Sequence, residues 1–223
     1  MKNEIIKLEY TQDMVERAYR RAEKLGILNG SMSSGAGNFR GYLGEEAVAS
    51  YLGIRVSSCD EGDEKYHYDM VWNNQKIDVK TKARTVMPKL DYDGSIEGFN
   101  PDQKCDSYIF TCISYKNKNY QNGYENPRDE HKDISAIWLC GIISKDEYFS
   151  KSTFYNEGDI DPTNGHQFRK NRYNVLYRDM HPIKLSHKCE LCGSMGARNI
   201  KFIMACESCN VIYTIERSLE VYR

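Results

Sequence analysis

A chain of 223 residues has room for one full domain with a buried core and a small appendage, but not for two ordinary domains. A formal net charge of -1 gives no global argument for nucleic acid, since a chain that binds it through its whole surface is usually distinctly basic. No stretch approaches the roughly 20 apolar residues of a membrane span, and the N-terminus MKNEIIKLEY lacks the apolar core of a secretory signal, so no membrane partner and a cytoplasmic location are expected.

In chain order, TQDMVERAYRRAEKLGIL carries Met14, Ala18, Ala22 and Leu25 near one face, which predicts an amphipathic helix capped by Thr11 or Asp13. Asn29 to Asn38, NGSMSSGAGN, has no apolar period and reads as a Gly/Ser loop. A second helix follows in FRGYLGEEAVASYLGI, with Leu43, Ala47, Val48, Tyr51 and Leu52 as its buried stripe, Gly53 as its stop and Glu45 in its first turn. Asp106 to Tyr115 and Ser135 to Ile143 are rich in β-branched and aromatic residues and read as central strands. The turn-rich KNKNYQNGYENPRDEHKD between them reads as an exposed excursion. SKDEYFSK gives a short capped helix, and Ser152 to Met180 reads as irregular and polar. Helix, strands and helix in that order argue a mixed α/β layer.

Lys65 to Arg84, KYHYDMVWNNQKIDVKTKAR, is the stretch that carries chemistry. An Asn73-Asn74 turn pairs Trp72 with Gln75, Val71 with Lys76, Met70 with Ile77 and, one step further, Asp69 with Asp78. Opposed carboxylates about 5 Å apart repel unless a cation neutralises them. Alternation puts Lys80 on the same side as Asp78, about 7 Å along the strand. A hard cation such as Mg²⁺ or Mn²⁺, which takes one or two carboxylates and a substrate phosphate, suits the two aspartates. Lys80 would then orient a water or stabilise charge on a phosphorane.

YHYD followed by IDVK, with GYLGEEA upstream, resembles the PD-(D/E)XK nucleases, over roughly Phe39 to Ile143. The resemblance implies a restriction-endonuclease-like mixed sheet flanked by helices. It matches Asp69 to the first acid, Asp78 and Lys80 to the (D/E)XK element, and Glu45 to the helical glutamate, a direct or water-mediated metal ligand. Tyr68 stands where the motif name has proline. Glu46 is the weaker claimant for the helical role, and His67 is set aside as a surface group.

Eight cysteines include Cys189-x-x-Cys192 and Cys206-x-x-Cys209, a spacing that suits tetrahedral zinc in a ribbon built on IKFIMA and VIYTI. Four thiolates leave no open position, so this zinc would be structural. Cys59, Cys105, Cys112 and Cys140 lack the spacing and read as ordinary buried thiols. From Arg169 onward ten Lys or Arg stand against five acids; Arg169, Lys170, Arg172, Arg198 and Lys201 as a group favour a duplex-docking arm.

The expectation is a nuclease domain over residues 1–180 and a zinc ribbon over 181–223. Its function would be metal-dependent phosphodiester hydrolysis, on DNA ahead of RNA, with a second copy of the chain as an open question. The alternative is a nucleic-acid-binding protein without turnover.

Overall fold

The computed structural model describes residues 3–25, 36–56, 68–98, 103–162, 165, 167–183, 187–188, 195–197, 203–206, 211–215 and 221–222. The chain divides into two compact units, Met1–Pro182 and Ile183–Arg223. The first contains β1 (Ile6–Leu8), α1 (Gln12–Leu25), α2 (Ala36–Leu52), β2 (Met70–Trp72), β3 (Gln75–Arg84), β4 (Asp93–Glu97) and β5 (Ser107–Tyr115). It continues through α3 (Asn119–Asn122), β6 (Ile134–Ser144), α4 (Lys145–Lys151), β7 (Thr153–Tyr155) and β8 (Arg172–Leu176). The second contains β9 (His187–Lys188), β10 (Met195–Ala197), β11 (Ile203–Cys206), β12 (Val211–Ile215) and β13 (Val221–Tyr222). Among the described residues no helix is long and apolar enough to cross a membrane.

The first unit is α/β. Its main sheet has the order β1-β6-β5-β3-β2; β3 and β5 run parallel and the other neighbours antiparallel. Every residue of β5 is buried, as the continuous apolar run SYIFTCISY requires of a strand covered on both faces. On one face Val79 and Thr81 lie beside Ile109 and Thr111, under α2. A Cβ at Gly44 would overlap the Thr81 hydroxyl and stand 2.9 Å from Thr111 Oγ1, so only glycine lets the helix backbone approach the sheet this closely.

The opposite face packs on a second sheet of order β4-β8-β7. Tyr108, Phe110 and Cys112 join Ile96, Tyr148, Val175, Tyr177 and Met180 in one buried cluster. Tyr148 donates its hydroxyl to Gly94 O at 3.1 Å and Tyr173 O at 2.7 Å, tying α4 to β4 and β8.

The expected strands at 106–115 and 135–143 are present as β5 and β6, and SKDEYFSK forms α4, with Ser144 Oγ accepting from the Glu147 N–H. Thr11, and not Asp13, caps α1: its Oγ1 accepts from the Met14 N–H at 3.4 Å.

Three expectations are corrected. First, α2 begins at Ala36, inside the expected loop, because Phe39 stacks on Tyr19 with ring centroids 3.9 Å apart and packing against α1 extends it. Glu45 therefore sits in the middle of α2, not in its first turn. Second, the excursion before β6 is anchored. Glu130 is buried and accepts from Tyr115 OH and Arg40 Nε, each at 2.5 Å, which compensates a carboxylate taken out of water. Third, the stretch after α4 carries β7 and β8, and its Phe168, Val175 and Tyr177 are core residues.

Candidate functional site

The Asn73-Asn74 turn forms as its chemistry dictates. Both residues adopt positive φ, 50° and 61°, the type I′ geometry that matches the twist of flanking strands. The register Trp72↔Gln75, Val71↔Lys76 and Met70↔Ile77 follows.

At the next step the ladder departs from simple alternation. The Asp69 N–H donates to Ile77 O at 2.8 Å, an acceptor that lies opposite Met70. The Asp69 carboxylate turns to take the Val79 N–H, at 2.6 Å. Direct opposition of Asp69 and Asp78 is therefore absent from the ladder, and a backbone donor meets one acid where two charges would have collided.

Asp78 is 4 % exposed. Its Oδ2 pairs with Lys80 Nζ at 2.7 Å, and its Oδ1 accepts from Gln103 Nε2 at 3.3 Å. Gln103 is itself positioned by Lys145, whose ammonium donates to its carbonyl at 2.5 Å. Burial pulls Lys80 downward, but Asp78 and then Asp69 outweigh it and hold the ammonium above its ordinary range. Lys80 thus stays a proton donor throughout the neutral range.

Glu45 comes from the helix layer on the Thr81 face, and its carboxylate meets Arg21 Nη2 at 2.8 Å. The same guanidinium lies 4.0 Å over the Tyr42 ring. Glu46 is matched in the same way by Arg17 at 2.8 Å. The two arginines are one turn apart on α1, so they reach adjacent glutamates of α2.

Asp69 is the group that senses both sides. Burial, then the Glu45 charge, then the Asp78 charge push its carboxyl well above the ordinary 3.8, against the opposing pull of the Val79 N–H and Lys80. The cations nearest the acids are side chains of this chain, Lys80 and Arg21.

Among the described residues no group of three or more His, Cys, Asp or Glu is arranged to hold a metal ion. Two carboxylates can suffice for a hard cation that keeps several waters, and Asp69 accepts from the N–H of Val79, the residue next to Asp78. Burial first, and two neighbouring acids after it, drive the Asp69 carboxyl toward its protonated form, and an added cation would relieve the acids' share. His67 and Cys189, Cys192 and Cys209 lie outside the described residues; the backbone of Cys206 ends β11. Cys105, Cys112 and Cys140 are buried free thiols, as expected, and Cys59 is outside the described residues.

Sequence reasoning missed Arg21, Gln103 and a second charged cluster. Lys82 and Arg84 continue the alternation begun by Asp78 and Lys80, and both reach Asp93, at 2.5 Å and 3.5 Å. The even-numbered positions of IDVKTKAR carried that signal. Asp93 gave none, because its strand was not recognised.

Asp69 makes a pH test available. A carboxyl raised in the fold binds its proton more tightly there than in the unfolded chain, so stability falls as pH rises from 3.8 toward the raised value. Asparagine at 69 can still accept from the Val79 N–H and does not titrate. In chelator, Asp69→Asn should therefore melt above the parent at pH 7.5. That advantage should shrink as pH falls toward 4, where the parent's carboxyl takes up its proton. A melting difference that does not change with pH would refute the electrostatic account of this carboxyl.

No family model, no curated protein and no solved structure matches the chain.

Proposed function

We propose that the chain is a metal-dependent nuclease of the PD-(D/E)XK kind, hydrolysing phosphodiester bonds of DNA, with a structural zinc at its C-terminal cysteines. The observation that carries this reading is the buried Asp78–Lys80 pair on one strand, 2.7 Å apart, with the Asp69 carboxylate seated on the Val79 N–H between them and pushed upward by burial and then by the Glu45 and Asp78 charges.

Asp69 and Asp78 would hold Mg²⁺ or Mn²⁺, with Glu45 a direct or water-mediated ligand. The ion, when bound, neutralises the phosphodiester and polarises it. The chain's own residues do the rest. Lys80 would donate to the attacking water or to the oxygen on which negative charge develops. Gln103 and Lys145 fix the Asp78 carboxylate, so that Lys80 is presented in one geometry. Cys189, Cys192, Cys206 and Cys209 would hold zinc with no open position, so that metal would support fold alone.

The experiment is to incubate the full chain with supercoiled, linear, single-stranded and branched DNA, and with RNA, in Mg²⁺ or Mn²⁺ and in chelator. Strand cleavage confined to the metal-containing reactions is expected. No cleavage of any substrate, or equal cleavage in chelator, would overturn the proposal.

A second reading, binding without turnover, is favoured by one observation: Asp78 and Glu45 each already have an internal cation, Lys80 and Arg21. Retention of DNA with no metal-dependent product would select it.

A further inference from the structure

Lys82 and Arg84 converge on one carboxylate, Asp93, and Arg172 stands nearby without an acid of its own among the described residues. Lys82 and Arg84 project from β3 on the side of Asp78 and Lys80, each about 7 Å beyond the last. Both reach Asp93, whose other oxygen is occupied by Asn174 Nδ2 at 2.6 Å. Ser95 Oγ donates to Asn174 Oδ1 at 2.6 Å and fixes that amide.

Arg172 comes from β8, two residues before Asn174 on the same face. Its guanidinium lies 5.1 Å over the Phe168 ring. Among the described residues no carboxylate ion-pairs with it, and its Nε is buried without a hydrogen-bond partner. Glu97 is across the ladder from Arg172, but its carboxylate meets Lys170 at 3.7 Å. The Arg84 Nε is likewise buried and unpartnered.

Two cations thus share one acid, and a third, without an acidic partner among the described residues, adds its charge beside them. The imbalance is felt locally: burial first, and the charges of Arg84 and Arg172 after it, pull Lys82 below its ordinary range despite Asp93. The cluster is not sealed, since the side chains of Lys82 and Arg84 remain 27 % and 26 % exposed. A partly buried excess of positive charge with unused N–H donors matches the recognition chemistry of a phosphate oxyanion, for which a guanidinium is suited by its planar fork.

We propose that Lys82, Arg84 and Arg172 form a seat for a phosphate of the nucleic-acid strand whose neighbouring phosphodiester lies at Asp78 and Lys80. The seat rests on the nucleic-acid reading above and adds to it a direction: the strand runs along β3 from Lys80 toward Arg84. Successive even-numbered side chains advance by a step comparable with the separation of adjacent phosphates in one strand. The seat binds backbone and not base, so it adds affinity without sequence preference.

The test is binding of a labelled DNA oligonucleotide to the full chain in chelator, by fluorescence anisotropy between about 50 and 200 mM salt. Arg172→Gln should weaken binding about tenfold and lower the slope of log affinity on log salt by about one. Its melting temperature should be unchanged or higher, because the lost charge had no acidic partner and repelled Lys82. Arg172→Lys should retain most of the affinity. Lys170→Gln, the same formal loss at a position already paired with Glu97, should cost less.

Unchanged affinity in Arg172→Gln, or equal losses in Arg172→Gln and Lys170→Gln, would overturn the seat. So would an Arg172→Gln chain that fails to fold, since the charge would then be holding structure. A parent that shows this binding signature yet cleaves nothing in Mg²⁺ would leave the seat standing and remove the nuclease reading.

Discussion

Asp78→Asn is expected to lower Mg²⁺-dependent cleavage by a factor of about a thousand or more, some 4 kcal/mol of transition-state stabilisation, because an amide is a poor ligand for a hard cation. The hairpin pattern alone argues that this variant should fold at least as well as the parent, since it removes half of an opposed pair. The ion pair to Lys80 at 2.7 Å changes the balance. Removing one partner of a buried pair is costly, but Lys80 keeps the charge of Asp69 nearby, and Asp69 ionises more readily once Asp78 is neutral. The partial exposure of Lys80 reduces the cost further, so a net loss of about 1 kcal/mol is expected. Lys80→Ala should separate from it. Without the ammonium, the Asp78 carboxylate is released toward a metal ion, so Mg²⁺ affinity should hold or rise while cleavage falls by about a hundredfold. Titration calorimetry with Mg²⁺ and a cleavage assay read the two effects apart. Full Mg²⁺-dependent cleavage by Asp78→Asn, on a substrate the parent cuts, would rule out the assignment.

What could be read from the sequence is what local chemistry decides. Asn73 and Asn74 tolerate positive φ, so the turn and the register back to Met70↔Ile77 were legible. The run SYIFTCISY, rich in β-branched and aromatic residues, read as a central strand. Asp69 shows where such counting stops: its carboxylate found a nearer donor in the Val79 N–H, and no alternation rule anticipates a side chain that competes for the ladder. Polar appearance misled in two places. Glu130 lies in a charged string and is buried because Arg40 and Tyr115, far away in sequence, converge on it. β4 reads DGSIE, too short and too polar to announce itself, and exists because β8 pairs with it over its whole length. The strand that carries Asp78 and Lys80 was therefore legible. The other cations, Arg21 from α1 and the cluster around Asp93, depend on packing between elements and were not.

Removing zinc should have the largest effect on the second unit, Ile183–Arg223. Its described strands form only a short hairpin, β9 with β10, and a three-stranded sheet, β11-β12-β13. A unit this small cannot bury enough apolar surface to offset its chain entropy without a metal or a crosslink. Four thiolates on one zinc would supply the difference, since apparent binding free energies of about 10–16 kcal/mol accompany structural zinc at neutral pH. Protein purified without added metal should carry about one zinc per chain by elemental analysis. Cys206→Ser, at the end of β11, should leave amide protection intact in β3, β5 and β6 and abolish it in β11 and β12. The two units would then differ in metal dependence: chelation of Mg²⁺ stops cleavage and spares the fold, whereas loss of zinc unfolds the second unit. DNA affinity should fall with it if the basic residues there, Arg198 and Lys201, touch phosphate. Absence of zinc with the four cysteines joined as disulfides would refute the ribbon, as would full protection of β11 and β12 in zinc-free Cys206→Ser.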